Sequence, residues 1–193
     1  MSLIPAFELG IWNAWIFMLF VIFYNVTPYI LSSTRPIYKE ILKKTAGPDI
    51  PLNKTEEKLA KIMFLVFVIP IVYSFFLPFK LFSVWFYVGL FIYLLGVVIG
   101  TIAMYDFFTT AVDKLVTKGV YRISRNPMYL GMFLIYIGIG IACVSWLFLL
   151  LTMLFVISSH ILVITEERFC LNTYGKSYRK YVNRTPRWIG IPK

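Results

Sequence analysis

Met128 to Ile164 reads MYLGMFLIYIGIGIACVSWLFLLLTMLFVISSHILVI, 37 residues without a single Asp, Glu, Lys or Arg. As one helix it would extend roughly 55 Å at 1.5 Å per residue, far beyond the roughly 30 Å of a bilayer's hydrocarbon core. The run therefore divides into two apolar helices, with a turn near Cys143-Val144-Ser145-Trp146. Polar sequence bounds it at both ends. Tyr121-Arg122-Ile123-Ser124-Arg125-Asn126-Pro127 precedes it, and His160, Glu166 and Glu167 mark its close. An ionisable group at membrane depth costs roughly 2.5–3.5 kcal/mol on insertion scales. A polar cluster at the mouth of a helix hairpin is for that reason a candidate site.

The rest of the chain has the same character. Of its 193 residues 60% are hydrophobic, against roughly 45–50% in soluble domains. Further apolar runs cover about 11–31, 61–78 and 84–104, and the divided run adds about 128–143 and 146–164. The expected fold is all-α and integral to the membrane, a single domain over 1–193 with five transmembrane helices. The net charge of +10 is informative through its placement. Arg35 to Lys61, Lys114 to Arg125 and the tail from Arg168 to Lys193 are basic, and Lys80 lies between the second and third spans. Five spans put the three basic segments on one side and Lys80 on the other, as the positive-inside rule requires. The expected protein is multi-pass, with the candidate site on the cytoplasmic side. Its positive charge reads as a topology and lipid-headgroup signal, with the lipid bilayer as partner and no nucleic acid. Met1 to Gly10 holds no Lys or Arg, so the first span reads as retained and not as a cleaved signal. Cys143 and Cys170 fall at opposite ends of the last span, so no disulfide is expected. No Cys/His spacing calls for a metal.

Between the spans, Ile37 to Lys44 has the spacing of a short interfacial helix, and Thr55-Glu56-Glu57 resembles a helix start. Gly89, Gly96 and Gly100 recur near one face of the third span and Gly131 and Gly138 near one face of the fourth, which predicts close backbone packing. The fifth helix should continue to about Asn172, with a stop at Tyr174-Gly175. A short amphipathic helix follows from Lys176 to about Asn183, with Tyr178 and Tyr181 on one side and Lys176, Arg179 and Lys180 on the other.

Asn126-Pro127 suits the start of the fourth helix, Asn as cap and Pro in the first turn. That leaves Tyr121, Arg125 and Tyr129 around it unexplained, and a pocket wall explains them. For the opposite wall, seven residues at about 100° each return Glu167 to within about 20° of His160, while Glu166 points about 120° away. His160 and Glu167 thus share a face, about 10 Å apart along the helix. Acids at a helix C-terminus oppose the macrodipole, which sets Glu166 and Glu167 apart from an ordinary solvated pair.

Lys114-Leu115-Val116-Thr117-Lys118-Gly119-Val120-Tyr121, then Arg125-Asn126-Pro127-Met128-Tyr129-Leu130-Gly131, then Glu166-Glu167-Arg168, Tyr174-Gly175-Lys176-Ser177-Tyr178 and Pro186-Arg187 together resemble the isoprenylcysteine carboxyl methyltransferase family. The likeness covers about the last 80 residues, and phospholipid N-methyltransferases share much of it. It implies an S-adenosyl-L-methionine-dependent membrane methyltransferase whose cofactor pocket is closed by the C-terminal segment, the catalytic region being about 114–131 and 160–193. Cofactor-contacting positions carried over by the resemblance are Lys114, Leu115, Val116, Thr117, Tyr121, Asn126, Pro127, Met128, Tyr129, Glu166 and Glu167, and the shared helix face adds His160. Glu167 would hold the cofactor's ammonium, and Arg125 or Arg168 would anchor the substrate carboxylate.

Two departures stand out. The family usually has His where this chain has Asn126. Members acting on prenylated proteins also carry an Arg inside the last span, where this chain reads Ile161-Leu162-Val163-Ile164. The leading expectation is methylation of the carboxylate of a lipidic or prenylcysteine-like substrate, a displacement that needs alignment and dryness but no general base. The alternative is a phospholipid amine N-methyltransferase, in which Glu167 or His160 would take the amine's proton. A scaffold or small transporter would be expected to carry ionisable residues at mid-span, and these spans have none at their centres.

Overall fold

A computed structural model describes residues 10–34, 40, 54–111 and 113–190. The expected interfacial helix at Ile37–Lys44 and the side chain of Thr55 lie outside the described residues. Among those described the chain is all-helical, without a strand. The helices are α1 (Trp15–Thr34), α2 (Lys54–Ser74), α3 (Val84–Phe108), α4 (Pro127–Ala142), α5 (Trp146–Tyr174) and α6 (Lys176–Arg184), and a 3-10 turn spans Gly119–Arg122.

Local chemistry sets the boundaries. Ser83 caps α3 by accepting the Phe86 N–H at 3.1 Å, and Ser145 caps α5 by accepting that of Phe148 at 3.2 Å. The α4–α5 turn is three residues long, with Val144 at φ 54° and the Ser145 N–H donating to the Gly140 carbonyl at 2.9 Å. Pro127 opens α4 as expected, while the Asn126 side chain makes no cap bond. Two boundaries differ from the hydropathy reading. α2 ends at Ser74, short of 78, and α3 runs on to Phe108. α5 continues past its apolar stretch to Tyr174, at the expected Tyr174-Gly175 stop, because a helix outlasts its apolar stripe wherever its polar end finds partners.

α1, α3 and α5 are long and apolar enough to cross a membrane, whereas Lys61–Ser74 of α2 and α4 are apolar but shorter. Their outward faces are apolar too: Phe23, Phe64, Phe91 and Leu150 are each more than half exposed. Water would not favour that surface; lipid does.

α3 and α4 meet backbone to backbone. A Cβ placed on Gly138 would come within 2.6 Å of the Tyr93 nitrogen and 2.7 Å of the Gly89 carbonyl oxygen. One on Gly96 would meet the Gly131 carbonyl oxygen at 2.7 Å. The glycine stripes therefore remove the side-chain layer between two helices, as membrane interfaces often do. Around this seam Tyr136, Ile135, Ile139 and Phe148 are fully buried. Asn13 Nδ2 donates to the Phe75 carbonyl at 2.7 Å, tying the start of α1 to the end of α2. At one end of the bundle the Lys80 N–H donates to the Ala142 carbonyl at 3.2 Å. The 3-10 turn, the polar end of α5 and α6 gather at the other.

Candidate active site

The chain enters this end through a reversal after α3. Gly119 adopts φ 54°, and a Cβ there would collide with the buried carboxylate of Asp106. Only glycine allows the 3-10 turn to lie so close to α3. That turn buries Tyr121, whose backbone carbonyl accepts the Tyr181 hydroxyl at 2.6 Å. α6 is thereby fixed over the turn, with the buried Tyr178 and Tyr181 facing inward as its amphipathic pattern predicts.

The polar end of α5 makes two acid-centred contacts. The Tyr129 hydroxyl donates to Glu166 Oε1 at 2.7 Å. Glu167, one residue on, faces the segment after α6. Arg187 Nε lies 3.1 Å from both Glu167 oxygens and Nη2 lies 2.8 Å from Oε2. Arg125 Nη1 adds a longer ion pair to Oε1 at 3.4 Å. The backbone completes the latch: the Arg125 N–H donates to the Pro186 carbonyl at 3.0 Å, and Asn126 Nδ2 donates to the Arg187 carbonyl at 3.2 Å. Residues 185–188 form a strap across the hairpin mouth, ending where Trp188 Nε1 donates to His160 Nδ1 at 3.2 Å.

At the hairpin mouth lies a cleft of about 120 Å³. It gathers Leu115, Val116, Tyr121, Arg125 and Asn126 from the loop and Pro127, Met128, Tyr129, Glu166 and Glu167 from the hairpin. Lys114, Thr117, His160 and Arg168 do not line it. His160 is exposed and held by Trp188; Arg168 lines an adjoining groove. The His160–Glu167 face inferred from helix arithmetic does exist, but consecutive strap residues Trp188 and Arg187 occupy it. Further lining comes from Phe107, Cys170, Tyr174, Tyr178 and Tyr181. The amphipathic pattern of α6 had marked Tyr178 and Tyr181. Arg187 had only its place in the Pro186-Arg187 pair.

Burial holds the Tyr121, Tyr178 and Tyr181 phenols above their ordinary range, although the Arg125 guanidinium pulls Tyr178 and Tyr181 the other way. All three stay neutral near pH 7. The cleft thus joins carboxylates, an amide and aromatic faces, a set suited to a ligand with cationic centres and a flat ring. Among the described residues no group of three or more His, Cys, Asp or Glu is placed to hold a metal ion.

The family model described as phospholipid methyltransferase matches residues 80–177, from before α3 to the start of α6. No curated protein and no solved structure matches.

Proposed function

Because this chain belongs to the phospholipid methyltransferase family and is a multi-pass membrane methyltransferase, we propose that it moves a methyl group from S-adenosylmethionine to the headgroup of a membrane lipid, with an amine nitrogen as acceptor. The observation that carries this reading is the Tyr129–Glu166 pair in an otherwise aromatic and apolar cleft. A carboxylate there favours cations: the cofactor's ammonium and sulfonium, and a protonated amine awaiting activation. A carboxylate acceptor would face Glu166 as a like charge, Glu167 being already paired with Arg187 and Arg125.

The donor set fits the cofactor. Leu115, Val116, Met128 and Phe107 offer apolar surface to an adenine, the tyrosine rings offer faces to a sulfonium, and Asn126 offers an amide. At about 120 Å³ the cleft holds part of a nucleoside, so entry requires α6, whose Tyr178 and Tyr181 line it, to yield. When bound, S-adenosylmethionine supplies an electrophilic methyl group. The chain's part is to align, desolvate and manage one proton. Tyr129 engages Glu166 Oε1 and orients the carboxylate, whose Oε2 takes a proton from the acceptor ammonium. The amine so freed would accept the methyl group that the bound cofactor would supply. Arg187 on Glu167 holds the strap across the hairpin mouth.

Transfer to a lipid carboxylate is the second reading. Arg125 at the edge of the cleft favours it, since a guanidinium can hold a carboxylate bidentately. Incubation of purified protein with methyl-labelled cofactor and a membrane lipid extract, followed by mass spectrometry, separates the two. A base-stable methylamine lipid is the expected product. A base-labile methyl ester establishes the second reading, and absence of any labelled lipid refutes both.

A further inference from the structure

Asp106, near the end of α3, is a buried acid outside the ion pairs of the strap. Its carboxylate packs on Gly119, and Oδ2 is buried without a hydrogen-bond partner among the described residues. The Thr110 hydroxyl donates to the Asp106 backbone carbonyl at 2.6 Å, not to the carboxylate. Lys118, next to Gly119, is exposed and donates to Thr109 Oγ1 at 2.8 Å. A buried charge without a partner costs stability, so the position asks for a use beyond packing. Asp106 adjoins the cleft without lining it. Phe107, next on α3, and Tyr121, two residues past Gly119, both line it. Burial raises the Tyr121 phenol first, and the charges of Asp106 and Glu166 are among the neighbours that add to it. Both acids therefore act on the same wall. At the cleft itself the charges cancel, Glu166 and Glu167 standing against Arg125 and Arg187. The exposed loop charges, Lys114, Lys118 and Arg122 against Asp113, are on balance positive and screened by water. A net attraction for a cationic ligand is left to Asp106.

We propose that Asp106 sets the preference of the cleft for the methyl-bearing cofactor over its demethylated product, acting through its field and not by contact. The inference rests on the S-adenosylmethionine reading above and adds to it the group that tells the two nucleosides apart. S-adenosylmethionine bears a sulfonium, an ammonium and a carboxylate, and so one net positive charge. S-adenosylhomocysteine has a neutral thioether in place of the sulfonium and no net charge. The two are otherwise nearly alike in shape, so stacking and hydrogen bonds hold them almost equally. A fixed negative charge separates them. Glu166 is not fixed in this sense, since it is neutral once it has taken the acceptor's proton, whereas Asp106 lies outside that proton's path. In a buried, low-dielectric wall its field reaches the cleft with little screening. Transfer of the methyl group removes the charge that the field holds, and the used nucleoside leaves more readily.

The test is calorimetry on the full chain in detergent micelles with S-adenosylmethionine, sinefungin and S-adenosylhomocysteine as probes. Sinefungin carries an ammonium where the cofactor has its sulfonium, and so keeps the charge without the transferable methyl. Asp106→Asn keeps the side chain's shape against Gly119, and Asp106→Ser shortens it. In both variants the two charged ligands should bind about tenfold more weakly, the scale of one unit charge acting over roughly 10 Å at an effective dielectric of about 20. S-adenosylhomocysteine, without net charge, should stay within about twofold. The melting midpoint should hold or rise, because an unpaired buried charge has gone. Equal weakening of all three ligands, or no weakening of the charged two, overturns the assignment. So does failure of both variants to fold, which would make the carboxylate a support of the turn. If the wild type binds none of the three, the cofactor reading fails and this inference with it. Binding of all three with an unmoved ratio refutes the role of Asp106 alone.

Discussion

Glu166 and Glu167 leave α5 about 100° apart, and that rotation gives two adjacent acids separate partners. Glu166 accepts from Tyr129 on α4, while Glu167 is shared between Arg187 of the strap and Arg125 of the loop. Their amide variants should therefore fail in different ways. Glu166→Gln still accepts from Tyr129 but loses the cleft's charge, so cofactor affinity should fall roughly ten- to a hundredfold with the fold intact. Glu167→Gln halves the bidentate clamp on Arg187, so the strap should open, and the melting midpoint should drop along with binding. Calorimetry with a thermal scan on both variants checks this, and identical profiles would refute the division of roles. The sequence carried part of this arrangement. Helix arithmetic placed His160 with Glu167 and turned Glu166 away, because it depends only on 3.6 residues per turn. It could not say what fills the shared face, since Arg187 arrives there through a reversal 20 residues downstream, fixed by the backbone bond from the Arg125 N–H to the Pro186 carbonyl.

Among the elements, the α3–α4 seam was legible because glycine at near-helical spacing has few other uses in an apolar helix, and the contact it makes is local to two straight rods. The ends of α2 and α3 were harder to read. A hydropathy window follows the lipid, whereas a helix ends where its last carbonyls find other partners. Gly138→Val tests the seam. Its added carbons would lie against the Tyr93 nitrogen and the Gly89 carbonyl oxygen, backbone atoms that cannot swing aside. Overpacking typically costs about 1–3 kcal/mol, which should lower the melting midpoint in detergent by several degrees and weaken cofactor binding through the displaced hairpin mouth. Gly100→Ala is the matching control. A Cβ added at Gly100 would meet its nearest atom, in the Tyr24 ring, at 3.6 Å, an ordinary van der Waals distance, so its midpoint should hardly move. Equal losses in the two variants would mean that α3 and α4 are not packed backbone to backbone.

For the whole molecule, charge and geometry divide the ends in the same way. Lys80 bonds through its backbone to Ala142 at the α4–α5 turn, whereas Arg125, Glu167 and Arg187 cluster where α4 begins. The two ends of a 16-residue helix are about 24 Å apart at 1.5 Å per residue. That is somewhat less than the roughly 30 Å hydrocarbon core, so an α4 that spans would draw the bilayer thin or hold the cleft slightly inside the headgroup layer. Either outcome brings the cleft to the depth at which a lipid headgroup presents itself. We therefore read the protein as five spans, with the basic loop before α4 and the tail on the cytoplasmic side and Lys80 opposite, as the positive-inside rule orients them. Single cysteines at positions 80, 118 and 180, in a variant with Cys143 and Cys170 replaced by serine, test this in sealed vesicles of known orientation. A membrane-impermeant maleimide should label 118 and 180 from the cytoplasmic face only and 80 from the outer face only. Labelling of 118 and 180 from opposite faces would mean that α4 and α5 do not cross as a hairpin, and the cleft between their polar ends would then have no common side from which to meet its cofactor.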